Sequence, residues 1–198
     1  MAMCPRKRQF KRKEIIETAF DMVREGGWDG LSVPALAKAI NSSTMPIYSH
    51  FKNVRDLEDA VFKKAVDYMY EYMSADRPGD KWINHAVRFV EFAYEEKMLF
   101  RCIFDGRNPE LQFTEIQRCS QMLLGHLTEY PLFKGLSEEQ LRIIRYSRFM
   151  LAQGMATSIN SGWHTVLKKE ELESFLTKAS TALAEGLRAQ FAAEKNNF

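Results

Sequence analysis

The 198-residue chain is poor in the features that would staple it, embed it in a membrane or give it a recognisable reaction centre. It has three cysteines, Cys4, Cys102 and Cys119, with no Cys-x-x-Cys pair. An odd set without paired spacing builds no disulfide framework and fits a reducing compartment. No run of about 18 apolar residues occurs, which excludes a membrane-spanning helix. The basic start, MAMCPRKRQFKRK, is followed by no continuous apolar stretch and does not read as a secretory signal, so a cytoplasmic location is expected. Strand signals are nearly missing, because no alternating β-branched run reaches five residues. His-Glu-x-x-His, Gly-rich phosphate loops and Gly-x-Ser-x-Gly are missing too, and none of the four histidines stands in a Glu-x-x-His pair. These gaps argue against zinc hydrolases, nucleotide-dependent enzymes, serine hydrolases and di-iron bundles. No enzymatic activity, metal site or cofactor is expected.

What remains is an ordinary soluble composition, 45% hydrophobic and 27% charged, with an uneven distribution of charge. The net charge of +2 divides into +5 over residues 1–55, with ten Lys or Arg against five acids, and −3 over residues 56–198. Such a division points to an N-terminal part that meets an acidic partner.

Almost every long segment has helical periodicity. Residues 11–25 set Ile15, Ile16, Ala19, Phe20 and Val23 on one stripe, and Gly26-Gly27 ends it. Ser32 or Val33 opens a second helix with Pro34 in its first turn and Leu36, Ala37 and Ile40 inward. Asn41, tolerant of the left-handed region, begins a tight turn, and Ser42 and Ser43 offer N-caps for a third helix through Phe51. Pro46 falls within the first turn of that helix, whose N–H groups lack helical partners. Further helices are predicted over 54–74, 81–95, 97–104, 110–129, 137–160 and 169–193. The fold class is therefore all-α with about nine helices: an N-terminal three-helix helix-turn-helix domain, residues 1–55, and a C-terminal helical domain, residues 56–198, joined by a helix rather than a flexible linker.

Leu31 to Phe51, LSVPALAKAINSSTMPIYSHF, is two short helices joined by a tight turn, with Arg6, Lys7, Arg8, Lys11, Arg12 and Lys13 upstream. A helix of this size fits a DNA major groove and offers its N-terminal side chains to base edges. Those are Ser42, Ser43, Thr44, Met45 and Pro46: hydroxyls and apolar groups, with no Arg or Asn for a bidentate base contact. Shape readout is expected to carry much of the selectivity. Tyr48, Ser49, His50, Lys52 and Asn53 follow at positions suited to phosphates, which orient the protein without reading sequence.

The run KEIIETAFDMVREGGWDGLSVPALAKAINSSTMPIYSHFKNVRDLEDAV resembles the N-terminal domain of TetR-type transcriptional repressors. The Ala-Phe of helix one, Gly27-Trp28, the Ser-Val opening of helix two, Ile-Tyr-x-His-Phe of helix three and Leu57 all fall in register. Departures also stand out. Asn41 replaces a common Gly, Thr44 and Met45 replace a frequent Lys-Gly, and Val54 occupies a position that often carries a phosphate-binding Lys. The resemblance implies a homodimer on double-stranded DNA and adds Lys11, Arg12, Ser32, Pro34 and Ala35 to the contacts named above.

It also implies that the C-terminal domain encloses a pocket for a small apolar or amphipathic effector. Trp82, Phe89, Phe92, Phe104, Arg118, Met122, His126, Phe149 and Gln153 are the candidates, with His85 and Asn160 as further polar anchors. Small residues recur in the last two helices, so Ala152, Met155, Ile159, Ala179, Leu183, Gly186 and Leu187 are expected at a four-helix dimer interface. The expected function is a ligand-responsive repressor on a near-palindromic operator. The alternative is a DNA-binding regulator controlled by a protein partner with no small-molecule inducer.

Overall fold

A computed structural model describes residues 10–124, 130–162 and 169–195. Nine α-helices occur among them: α1 (Arg12–Gly26), α2 (Val33–Ala39), α3 (Met45–His50), α4 (Val54–Ser74), α5 (Lys81–Glu95), α6 (Lys97–Phe104), α7 (Pro109–Leu124), α8 (Glu138–Asn160) and α9 (Lys169–Lys195). Short 3-10 turns lie at Trp28–Gly30 and Pro131–Phe133. No described helix is long and apolar enough to cross a membrane.

Local chemistry accounts for most of the boundaries. Gly27, at φ +67°, closes α1 by returning its N–H to the Val23 carbonyl. Ser32 caps α2 by accepting from the Ala35 N–H at 3.3 Å. Asn53 caps α4 by accepting from the Asp56 N–H at 2.9 Å, and Asp80 caps α5 through the Trp82 and Ile83 N–H groups. Ser137 and Gln140 form a reciprocal capping box at α8. Asn41, at φ +52°, is the one non-glycine residue with positive φ among those described, as the turn between α2 and α3 requires.

The start of α3 differs from the sequence expectation. Thr44, not Ser42 or Ser43, is the N-cap residue, and Phe51 lies just beyond the helix. The left-handed Asn41 lets the Ser42 N–H bond the Ala37 carbonyl at 2.8 Å, so Ser42 belongs to the closure of α2 and the helix begins three residues later.

Ile15, Ala19, Phe20, Leu36, Ala37, Ile47 and Phe51 form the core of the first three helices. The 21-residue α4, about 32 Å long, carries the chain away from this head. The central helix α5 is buried along nearly its whole length and packs against α4, α8 and α9. Glu91 on α5 is 4% exposed and is held by Arg77 at 3.2 Å, which also pairs with Glu173 of α9 at 2.7 Å.

The head is seated on α4 and α6 by specific contacts. Arg24 of α1 donates from Nε to Glu96 at 2.8 Å and lies over the Tyr68 ring at 5.2 Å, while the Tyr68 hydroxyl donates to Glu96 at 3.0 Å. The Trp28 indole N–H donates to the Cys102 carbonyl on α6 at 3.3 Å. Asn160, at the end of α8, is buried and donates to the carbonyls of Ala93 and Lys97 at 3.0 Å each, while Arg101 donates back to its Oδ1 at 2.9 Å. Asn160 thus ties the α5–α6 corner to α8.

Candidate nucleic-acid interface

Helix α3 buries Ile47 and turns its other side chains outward. Met45 is 65% exposed and Tyr48 is 53% exposed. Ser43, Ser49 and Lys52 are also exposed, and Ser42, Thr44 and Pro46 are partly so. Together they make one outward surface of hydroxyls, a thioether, a proline ring and a phenol. At α2, Pro34 is exposed and Ala35 partly so, but the Ser32 hydroxyl is committed to its cap.

Three of the residues matched to phosphates have internal roles. The His50 Nε2 lies 2.8 Å from the Phe10 carbonyl and ties the chain before α1 to the end of α3. Phe10 is itself buried, so this segment is anchored at the base of α3. Asn53 commits its side-chain oxygen to capping α4. The Ser49 hydroxyl donates to the Pro46 carbonyl at 2.7 Å and keeps only acceptor capacity for a partner. Lys52 is exposed and appears in no ion pair among those described. Lys11 is exposed, and its backbone N–H donates to Glu14 at 3.0 Å. Arg12 stacks on the buried Phe51 ring at 4.8 Å, which fixes a cation beside α3. The contacts of His50 and Arg12 are long-range in sequence and leave no periodic signal.

The predicted effector residues do not converge on one place. Phe89, Phe100, Phe104 and Phe149 form an aromatic cluster with ring centroids 4.8–5.9 Å apart in the contacting pairs. Phe92 instead packs on Tyr68 and Tyr72 beside α4. Trp82 lies at the start of α5 against Tyr130 and Phe133. Arg118 is paired with Asp67 and Glu115 on the α4–α7 face, and Met122 is 40% exposed. Gln153 donates to Thr157 at 3.4 Å, with its Oε1 buried and unpartnered. His126 lies outside the described residues. Burial pushes the thiols of Cys102 and Cys119 up to about 11, so neither is a ready nucleophile.

The residues expected at a dimer interface divide between inward and outward positions. Ala152 is 4% exposed, and Met155 and Ile159 pack against the core of their own subunit. Small residues serve here in the close packing of α8 on α5. One helix turn around, Tyr146, Met150 and Gly154 are exposed, with Tyr146 at 61%. On α9, Phe175, Ala182 and Gly186 are exposed, Ala179 and Leu183 are partly so, and Leu187 packs on the core. The outward apolar stripes are therefore 146–150–154 on α8 and 175–179–182–186 on α9.

No protein-family model matches the chain. The tetracycline repressor protein class C of Escherichia coli is 30% identical over 74 residues, 37% of this chain. That match spans about a third of the curated relative's length (33%). Among solved structures, a TetR-family transcriptional regulator from Streptomyces coelicolor superposes with a TM-score of 0.72 at 19% identity, covering 92% of this chain and 88% of that one. A transcriptional regulator from Rhodococcus sp. gives 0.65 at 19% identity over 89% and 97% of the two chains. The fatty acid degradation regulator of Bacillus halodurans gives 0.57 at 20% identity, over 89% and 99%. The chain resembles the tetracycline repressor over those 74 residues and has the fold of the TetR-type transcriptional regulators over nine-tenths of its length.

Proposed function

We propose that the protein is a dimeric DNA-binding transcriptional regulator, a ligand-responsive repressor whose α3 enters the major groove of a near-palindromic operator. The observation that carries this reading is the outward surface of α3, where Met45 and Tyr48 stand exposed on a helix locked from behind by Ile47. A protein gains nothing for its own stability by exposing a thioether and a phenol side by side, whereas thymine methyls and the sugar–phosphate backbone offer such groups partners. The net positive charge of residues 1–55 supports the same partner.

Dimerisation would use the outward stripes of α8 and α9 and place two α3 helices about 34 Å apart, one turn of duplex. The seam of Arg24, Tyr68, Glu96, Trp28 and Cys102 then supplies a route from the C-terminal helices to the head. A ligand that prefers a different seating of α6 shifts the population toward a spacing that no longer fits. The close aromatic packing around Phe89 favours a second reading, control by a protein partner, because it leaves that part of the core filled.

Selection from random duplexes tests the first statement: a bound palindrome with half-sites one turn apart is expected. Tyr48→Ala with Lys52→Ala should weaken duplex binding sharply while circular dichroism stays unchanged. Equal affinity would mean that a different face binds.

A further inference from the structure

Arg148, midway along α8, is placed in an unusual way. Its guanidinium carbon lies 3.5 Å from the centroid of the Trp82 ring, and it donates to the Trp82 carbonyl. Most of the side chain is withdrawn from water, with partial access retained. Yet no carboxylate oxygen among the described residues comes within the 4.0 Å of an ion pair. Burial without a close counter-ion pushes its pKa down to about 9, against partial opposition from Asp80 and Tyr130. A half-buried guanidinium with no carboxylate close by keeps donors available to an anion that reaches it from the open side.

The acid closest in role cannot do so. Asp80 uses Oδ1 to accept the Trp82 and Ile83 N–H groups at 2.8 and 3.2 Å, and Oδ2 to accept the Tyr130 hydroxyl. Turning toward Arg148 would uncap α5. A second donor stands idle beside it: Trp82 is 1% exposed and its indole N–H has no partner. The rings of Phe133, at 4.8 Å from Trp82, and Tyr130 supply an apolar wall. Arg145, three residues earlier on α8, is likewise without a carboxylate within 4.0 Å among the described residues.

We propose that this corner, where α8 meets the start of α5 and the Pro131–Phe133 turn, binds a small organic monocarboxylate. The Arg148 fork takes the carboxylate, the Trp82 N–H adds a donor, and the apolar body lies against Phe133 and Tyr130. The planar guanidinium suits a carboxylate, and the nearby Asp80 charge disfavours a dianion such as phosphate. The inference rests on the reading of the protein as ligand-responsive and names the chemical class of its effector.

The test uses the full chain without DNA and three probes, hexanoate, benzoate and phenylacetate, each beside its neutral amide and beside inorganic phosphate. Equilibrium dialysis and thermal shift should show saturable binding of at least one carboxylate, with its amide and phosphate weaker by about ten- to a hundredfold. Arg148→Gln should remove the discrimination between acid and amide, and Arg148→Lys should restore part of it. Trp82→Phe, which removes the indole donor together with part of the ring under Arg148, should weaken the same carboxylate, with circular dichroism checking its fold, and gives a second readout if Arg148→Gln does not fold. No saturable carboxylate binding, an amide that binds equally, or an unchanged affinity in Arg148→Gln would overturn the proposal. Duplex titration separates it from the regulatory reading. Carboxylate binding that leaves operator affinity unchanged retains the site and rejects induction by it; operator binding without any carboxylate binding rejects the site and retains the DNA-binding reading.

Discussion

Met45 and Tyr48 are the two large side chains that α3 exposes, and neither contributes to the core. Met45→Ala should therefore leave the unfolding midpoint unchanged while lowering duplex affinity by about 1 kcal/mol, with the loss confined to half-sites that present a thymine methyl. Gel shifts with thymine and uracil duplexes would show it; equal losses on both would remove the methyl contact. Asn53 makes the opposite case. Its oxygen caps α4 while its amide N–H groups stay exposed, so Asn53→Ala should cost about 1 kcal/mol in denaturant unfolding. The thiols follow the same logic. With their pKa pushed up to about 11, Cys102 and Cys119 carry almost no thiolate at neutral pH. In a Cys4→Ser variant the native protein should be nearly inert to an aromatic disulfide reagent and should release two equivalents only on unfolding.

At the scale of elements, the helices 54–74, 81–95 and 97–104 coincide with their sequence expectations. Their information is local: an Asx cap at Asn53 or Asp80 and an apolar stripe that follows it. The start of α3 was misplaced because two serines look alike to capping chemistry, and only the left-handed Asn41 decides that Ser42 closes the preceding helix. The role of His50 was illegible for a different reason, since its partner lies 40 residues away. Ala152 and Ala156 of α8 are buried within their own chain, and the sequence does not announce this, because alanine at a close helix crossing looks the same whichever subunit supplies the neighbour. Gly27 offers a test of how firmly elements are seated. A Cβ there would lie 2.7 Å from the Met98 methyl on α6 and would sit at φ +67°. Gly27→Ala should cost about 1–2 kcal/mol, mostly from the backbone strain. Thermal unfolding of this variant beside Gly26→Ala, where a Cβ meets nothing within 4 Å, isolates the effect.

For the whole molecule, the exposed stripes on α8 and α9 are the surfaces that the proposed dimer would use. Met150→Glu places a charge on the outward stripe and should give a folded monomer by sedimentation at micromolar concentration. Ala152→Leu, on the inward face, should lower stability by about 1–3 kcal/mol through overpacking without dissociating anything. The reverse pattern would restore the interface to Ala152, Met155 and Ile159.

The seam between the head and the C-terminal helices has a further consequence, for anyone wishing to exchange reading heads between proteins of this fold. A cut at residue 55 looks natural in the sequence, but it severs partners. Glu96 and Tyr68 would face a foreign side chain in place of Arg24, the Cys102 carbonyl would lose the Trp28 donor, and Lys64 would lose Glu17, now 2.7 Å away. The transferable cassette is therefore discontinuous: residues 10–55 together with Lys64, Tyr68, Glu96, Met98 and Cys102, the surface on which that head is seated.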